Sequence, residues 1–407
     1  MAEEMRIVLR NYGKVDPLNI DTYVAQGGYQ SLDKARSMDK AALMAEVKKS
    51  NLRGRGGAGF NCGMKWTFAA GAQADQKYVI ANADEGEPGT YKDRLIMEND
   101  PQSLIEGMAV CAYAIGATKG FIYLRGEYPE LVSTLNAAIA QAKDKGFLKD
   151  FDLEVRRGAG AYVCGEETAL IESIEGKRGE PRFKPPFPPV IGLWGKPTIV
   201  NNIETYANIP AILEKGADWY AGIGNAAYPG TKVFTLTGDV VNKTFFEVPT
   251  NITVRQLIFD FGGGIVGGKK FKAAQIGGTS GCFIPESLLD TEVAFDTMGA
   301  AGLSLGTGAT FVMDETRDIV DIVTRIAGFF EHESCGKCAP CREGTMRTAE
   351  IMEKINEGKG SVKDTALLDK LGTVMSYSCL CGLGQAAPSP VLTTIKHFAA
   401  DYEAKFK

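Results

Sequence analysis

Nine cysteines stand in the 407-residue sequence, and four of them fall where thiolates do chemistry. The segment ESCGKCAPCREGT spaces Cys335, Cys338 and Cys341 at two-residue intervals, and Cys381 follows in CLCGLGQAAP. Four thiolates so arranged suit a cubane 4Fe–4S cluster or a four-cysteine zinc site. Structural zinc usually draws on two separated cysteine pairs, whereas three closely spaced cysteines with one remote partner are commoner for 4Fe–4S. Three unliganded thiols this close together would invite oxidation, which argues for a ligand role. Spacing alone leaves Cys379 and Cys381 both within reach as the fourth ligand. Cys62, Cys111, Cys164 and Cys282 are dispersed, and the only histidines are His332 and His397, which excludes a three-histidine metal site.

Three further segments carry groups suited to an anionic cofactor. Gly54, Gly56 and Gly59 in NLRGRGGAGFNCGMK satisfy GxGxxG. That pattern marks a dinucleotide site only where it follows a strand and opens a helix. Here the preceding residues read as a helix and the following ones as a turn into Met64, Lys65 and Trp66, so no standard fingerprint is assigned. The loop's physics remains: small residues let several N–H groups converge on an anion, and Arg53, Arg55 and Lys65 add positive charge. A glycine-rich turn with solvent-facing arginines is the plain alternative. The segment NADEGEPGTYKDR, at 82–94, sets Asp84, Glu85, Glu87 and Asp93 beside Asn82, Lys92 and Arg94. It suits a divalent metal, a solvated acidic loop, or a flavin or nicotinamide site. RRGAGAYVCGEETAL places Tyr162, Glu166 and Glu167 between a glycine run and a helix start, where the helix dipole also favours glutamate.

The surrounding pattern shows what must position these groups. A helix is expected over Asp39–Lys49, a strand over Tyr78–Ala81, a helix over about Ser103–Ala117 and a strand over Phe121–Leu124. A helix over Leu131–Ala142 and a strand over Phe151–Val155 follow, an alternation that belongs to a layered α/β domain. PRFKPPFPPV, at 181–190, reads as an ordered loop against a site. Near residue 229 the texture changes to β-structure, a helix over Val254–Phe259 and a second glycine cluster, a small α+β unit. Helical spacing returns from Asp314, around the cysteines. Glycine is 48 of 407 residues, about 12% against a usual value of roughly 7%. With a formal charge of -5, nothing points to nucleic acid or to an anionic membrane surface. No signal peptide or membrane-spanning stretch is evident, and the cysteine usage favours a reducing, cytoplasmic setting.

Together these segments resemble the family of NADH-oxidising flavoprotein subunits. It includes the NADH-binding subunit of respiratory complex I and the β subunits of NAD-linked iron-only hydrogenases and formate dehydrogenases. The resemblance rests on RGRGGAGF with GMKW at 53–66, NADEGEPGTYKDR, GAGAYVCGEETAL, KPPFPP, NNIET at 201–205, and ESCGKCAPCREG with CGLGQ. It implies an α/β chain: an N-terminal segment (1–50), a Rossmann-like layered domain binding FMN and NADH (51–228), a β-grasp-like α+β domain (229–310) and a helical 4Fe–4S domain (311–407). FMN contacts are implied at Gly54, Arg55, Gly56, Gly57, Lys65, Asn82, Asp84, Tyr162, Glu166, Asn201 and Asn202. An NADH-facing set is implied at Phe60, Lys65, Phe68, Glu87, Glu167 and Phe187. Cluster ligands are implied at Cys335, Cys338, Cys341 and Cys381, which leaves Cys379 a non-ligand.

The implied activity is that of an NADH dehydrogenase (diaphorase) subunit, with no side chain acting as general acid or base. Glu167 is expected to repel the 2′-phosphate of NADPH. Implied partners are a small thioredoxin-like 2Fe–2S subunit and a larger catalytic subunit. The reading favours an iron-only hydrogenase partner, with complex I and formate dehydrogenase as alternatives. A flavin-free electron-transfer scaffold is the alternative of another class; the retained 54–59 and 82–94 segments oppose it. The chain departs from many relatives at Asn61-Cys62, at Ala81 and in the turn Gly277–Cys282.

Overall fold

Two apolar runs, YVIANA and KGFIYL, lie side by side in the computed structural model, which describes residues 3–407. They are β1 (Tyr78–Ala83) and β2 (Lys119–Leu124); with β3 (Asp152–Arg157) and β4 (Thr198–Asn202) they form a parallel sheet in the order β3-β2-β1-β4. Strands covered on both faces read as nearly continuous apolar runs, as β1 and β2 do, while β3 carries the charges of an edge. The strand order reverses between β1 and β4. In open α/β sheets the crevice beyond the carboxyl ends at such a switch point is where ligands bind.

Helices cover the sheet. The helix Pro101–Ile115 is almost wholly buried and packs on the helix Ile203–Lys215. Their closeness depends on Gly107, where an added Cβ would fall 2.2 Å from the Tyr206 carbonyl oxygen. The first fifty residues share this core: Ile7, Val8 and Leu9 are buried in it. Glu106, inside the helix, accepts from Tyr23 Oη at 2.6 Å and from the Tyr29 and Leu32 amides at 2.9 and 3.2 Å. The turn expected after the first glycine cluster is a helix, Cys62–Gly71. Asn61 caps it by accepting from the Met64 N–H at 2.9 Å, and Cys62, Trp66 and Ala69 bury one face. The loop therefore meets half of the dinucleotide pattern, opening a helix without following a strand.

A short ladder of β5 (Gly224–Asn225) and β6 (Tyr228–Pro229) leads into a second sheet. It contains β7 (Thr231–Gly238), β8 (Thr244–Pro249), β9 (Phe271–Ile276), β10 (Cys282–Ile284) and β11 (Ala309–Asp314), in the order β10-β9-β11-β7-β8. β7 and β8 form an antiparallel hairpin, and β11 runs parallel to β7 in the middle of the sheet. β11 runs across residue 310, the border expected from the sequence, to Asp314. Beyond it the helices Ile319–Glu333, Ala339–Lys354, Val362–Ser378 and Ser389–His397 pack together. Among the described residues no helix is long and apolar enough to cross a membrane.

Candidate functional site

A cavity of about 250 Å³ opens at the switch point. Asn82 and Asp84 reach it from the end of β1, Asn202 from the end of β4, and Gly56 from the glycine loop. Tyr162 and Glu166 reach it from the short helical turn Tyr162–Gly165 and the cap of the helix Glu167–Ile174. The strand order thus gathers four of the segments singled out in the sequence. Asn82 donates to the Gly165 carbonyl at 2.8 Å and accepts from the Asp84 N–H at 3.1 Å, which fixes the end of β1. Glu166 accepts from the Thr168 and Ala169 amides at 2.9 and 3.0 Å and caps its helix. Glu87, also on the wall, accepts from Tyr162 Oη at 2.6 Å.

One polar atom on this wall lacks a partner: Asp84 Oδ2 is buried without a hydrogen bond. Burial pushes the Asp84 carboxyl up to about 7; Arg125 opposes the shift, and Glu127 and Glu333 add to it. A buried acceptor left over beside a cavity fits a ligand that brings a donor there. The hydroxyl-bearing ribityl chain of a flavin is such a ligand.

Beneath the cavity lies a buried charge network. Lys92 Nζ reaches Asp93 at 2.7 Å, Glu204 at 3.0 Å and Asn202 Oδ1 at 2.9 Å; Lys232 Nζ reaches Glu204 at 3.1 Å. Burial works against the Glu204 charge, yet Lys232 and Lys92 hold its carboxyl below the usual range, while burial pulls Lys232 down to about 8. The network fixes Asn202 and, through a 3.3 Å bond from Lys232 to the Arg55 carbonyl, the glycine loop.

Two expected contacts are turned elsewhere. Arg55 is fully buried, and its guanidinium donates to the carbonyls of Pro229 at 2.5 Å, Arg53 at 2.9 Å and Thr231 at 3.0 Å, and to Tyr220 Oη at 3.1 Å. It lies 4.2 Å from the Tyr228 ring centroid. This arginine straps the glycine loop to the second unit and does not line the cavity. Asn201 alternates with Asn202 on β4 and so points to the other face of the sheet. With its amide oriented to satisfy both ends, it accepts from Trp66 Nε1 and donates to the Val200 carbonyl, each at 3.1 Å. Gly54 and Gly57 shape the loop behind Gly56.

The remaining set forms a neighbouring patch. Lys65 Nζ pairs with Glu167 at 2.7 Å and donates to the Val200 carbonyl at 2.7 Å, and Lys184 approaches Glu167 at 3.6 Å. These pairs join the helix Cys62–Gly71, the helix Glu167–Ile174 and the proline-rich loop. They hold Glu167 ionised against its burial. Phe60 on the glycine loop, Phe68 on the helix Cys62–Gly71 and Phe187 on the proline-rich loop are all about half exposed.

Cys338 caps the helix Ala339–Lys354, Cys341 lies in its first turn, and Cys381 caps the short helix Gly382–Ala386. The sulfurs are arrayed over two helix starts; among the described residues no three His, Cys, Asp or Glu side chains gather around a single ion. Cys379 is buried against Cys341. Gly382 and Leu383, directly after Cys381, also line the cavity.

Sequence reading missed Thr307, Gly382 and Leu383 on the cavity wall, and did not single out Glu85, Thr90, Lys92 and Asp93 within their segment as contacts. The signal for Thr307 was the glycine-rich GLSLGTG at 302–308, which reads as a turn of a separate unit until the fold brings it back.

Two family models match the chain. The Nuo51 FMN-binding domain covers residues 47–211, and the NADH-ubiquinone oxidoreductase-F iron-sulfur binding region covers 321–405. The NADP-reducing hydrogenase subunit HndC of Solidesulfovibrio fructosivorans is 49% identical over 99% of this chain and 84% of its own. The second NADH-quinone oxidoreductase F-type subunit of Rhizobium meliloti (strain 1021) is 46% identical over 98% of this chain and 97% of its own. Among solved structures, an NAD+-reducing NiFe-hydrogenase in the H2-reduced state superposes with a TM-score of 0.89 at 36% identity, over 99% of this chain and 67% of that one.

Proposed function

The chain belongs to the family of NADH-oxidising flavoprotein subunits, and from that membership we propose that it passes electrons between NAD(H), FMN and a 4Fe–4S cluster within a multisubunit complex. One observation carries the reading furthest: the cavity at the switch point and the cysteine loop share a wall, Gly382–Leu383. A redox cofactor seated in the first lies against the protein segment that ligates the second.

Gly56, Asn82, Asp84, Tyr162, Glu166 and Asn202 would hold FMN, and Cys335, Cys338, Cys341 and Cys381 the cluster. Bound there, FMN would supply two-electron hydride chemistry toward a nicotinamide coupled to one-electron release, and the cluster would supply one-electron transfer. The chain's own residues bind and orient. The loop amides around Gly56 meet the phosphate, and Asp84 accepts from a ligand hydroxyl. Phe60, Phe68 and Phe187 offer faces for stacking a nucleotide base.

The units are assigned as 3–228 around the parallel sheet, 229–314 around the mixed sheet, and 315–407 as the helical cluster unit. NADH is the proposed nucleotide, because the ionised Glu167 disfavours an added 2′-phosphate. The proposed partners are a small 2Fe–2S subunit and a larger catalytic subunit of hydrogenase type, a choice supported by the likeness to HndC and to the NiFe-hydrogenase chain. The test is direct. Purified protein should contain FMN and iron, its flavin absorbance should bleach on NADH addition, and it should reduce an artificial one-electron acceptor. A protein that binds neither FMN nor NADH would overturn the proposal.

A further inference from the structure

Besides the Arg55 strap and the Lys232–Glu204 pair, the second unit touches the first at a carboxylate on the cavity wall, Glu87. Ser280, in the turn between β9 and β10, donates its backbone N–H to Glu87 Oε1 at 2.9 Å and its hydroxyl to Glu87 Oε2 at 3.1 Å. Tyr162 Oη donates to the same Oε2 at 2.6 Å. Glu87 is 6% exposed, so its charge is sustained by these donors and not by water. The turn is built for this approach. A Cβ on Gly278 would fall 2.1 Å from Glu87 Cγ, and Gly278 holds a left-handed φ of 85°. No side chain fits there, and the serine two residues on meets the carboxylate.

We propose that Ser280 is a positioning residue for the dinucleotide: its hydroxyl keeps Glu87 ionised and oriented as an acceptor, which makes the second unit a working part of the nucleotide site. The inference rests on the reading of Glu87 as a nucleotide contact. Burial raises the Glu87 carboxyl, and the Tyr162 and Ser280 hydroxyls with the Ser280 and Thr279 amides pull it back. The other titratable groups around it are Asp84 and Glu85 on its own segment and Lys92, Asp93 and Glu166 across the cavity. None of them donates a hydrogen bond to Glu87 in place of Ser280. Without the hydroxyl, Glu87 protonates at higher pH and ceases to accept from a ribose hydroxyl or an amide.

The test uses full-length FMN-loaded protein and its Ser280→Ala, Ser280→Cys and Ser280→Thr variants. Binding of oxidised NAD+, which does not turn over, is measured calorimetrically across the acid to mildly alkaline range. Ser280→Ala should move the acid limb of the binding profile up by about one pH unit, a roughly tenfold loss of affinity on that limb. Affinity should return to the wild-type value at alkaline pH, Ser280→Thr should restore the limb, and the KM for NADH should rise with kcat unchanged. If Ser280→Ala does not fold, the isosteric Ser280→Cys, a weaker donor, should show a smaller shift in the same direction. A limb that does not move, or a loss equal at every pH, would overturn the role of Ser280. If the wild type itself binds no NAD+, the function proposed above falls and this inference with it.

Discussion

Replacing Arg55 by Met separates a structural strap from a phosphate ligand. The guanidinium satisfies three main-chain carbonyls and the Tyr220 hydroxyl while lying on the Tyr228 ring, all out of contact with solvent. Methionine fills similar volume but leaves those acceptors unpaired and removes one of the positive groups near Glu204. Breaking a buried, fully bonded charge of this kind costs about 3–5 kcal/mol. Unfolding entropy near 2 cal/mol/K per residue gives about 0.8 kcal/mol per degree for 407 residues melting as one unit. The melting temperature of the flavin-free protein should therefore fall by about 4–6 °C. Arg55→Lys should recover little, because one ammonium cannot reproduce a planar fork. The companion assay compares FMN with riboflavin, which lacks the phosphate. A strap leaves the preference for FMN intact in the variant, whereas a phosphate ligand does not. An unchanged melting temperature together with equal affinities for FMN and riboflavin would refute the reasoning.

Three other outcomes are expected. Glu167→Ala should raise the NADPH-to-NADH ratio of kcat/KM about tenfold, since a carboxylate a few ångströms from a 2′-phosphate costs a few kcal/mol before Lys65 and Lys184 offset part of it; an unchanged ratio sinks that role. Cys381→Ser should lose iron and labile sulfide while Cys379→Ser keeps both, as read by metal analysis and the visible spectrum; the reverse result would exchange their roles. Asp84 has its carboxyl raised from 3.8 to about 7, so in that window the folded state holds a proton the unfolded chain has released, and stability falls as pH rises. Asp84→Asn should thus stabilise the flavin-free protein more at about pH 8 than at about pH 4, and an equal gain at both would count against the burial argument.

The first three strands, the two glycine clusters and the cysteine spacing were legible because each is a local signal of period, turn chemistry or ligand geometry, whereas β4 and β11 were not read. β1 and β2 announce themselves as apolar runs, and the Cys-x2-Cys-x2-Cys spacing marks a candidate ligand loop without knowledge of the fold. Side-chain direction was not legible in the same way. Arg55 sits in a loop whose partners lie at Tyr220, Pro229 and Thr231, and nothing near residue 55 says that its guanidinium faces them. Asn201 and Asn202 are adjacent and chemically identical; only the strand assignment sends one to the cavity and the other to Trp66. The helix at Cys62 was hidden by the glycines before it. Ser280 and Thr307 came from a unit that looked self-contained, because its return to the first sheet is a tertiary fact.

The short helix Gly382–Ala386 has one end capped by Cys381 and its first residues on the cavity wall. Two binding equilibria that share a rigid element are thermodynamically linked, and the linkage is reciprocal. Whatever factor cluster assembly adds to FMN affinity, FMN must add to cluster retention. If the assembled cluster tightens FMN binding, excess FMN must tighten iron retention by the same factor, and deflavination must weaken it.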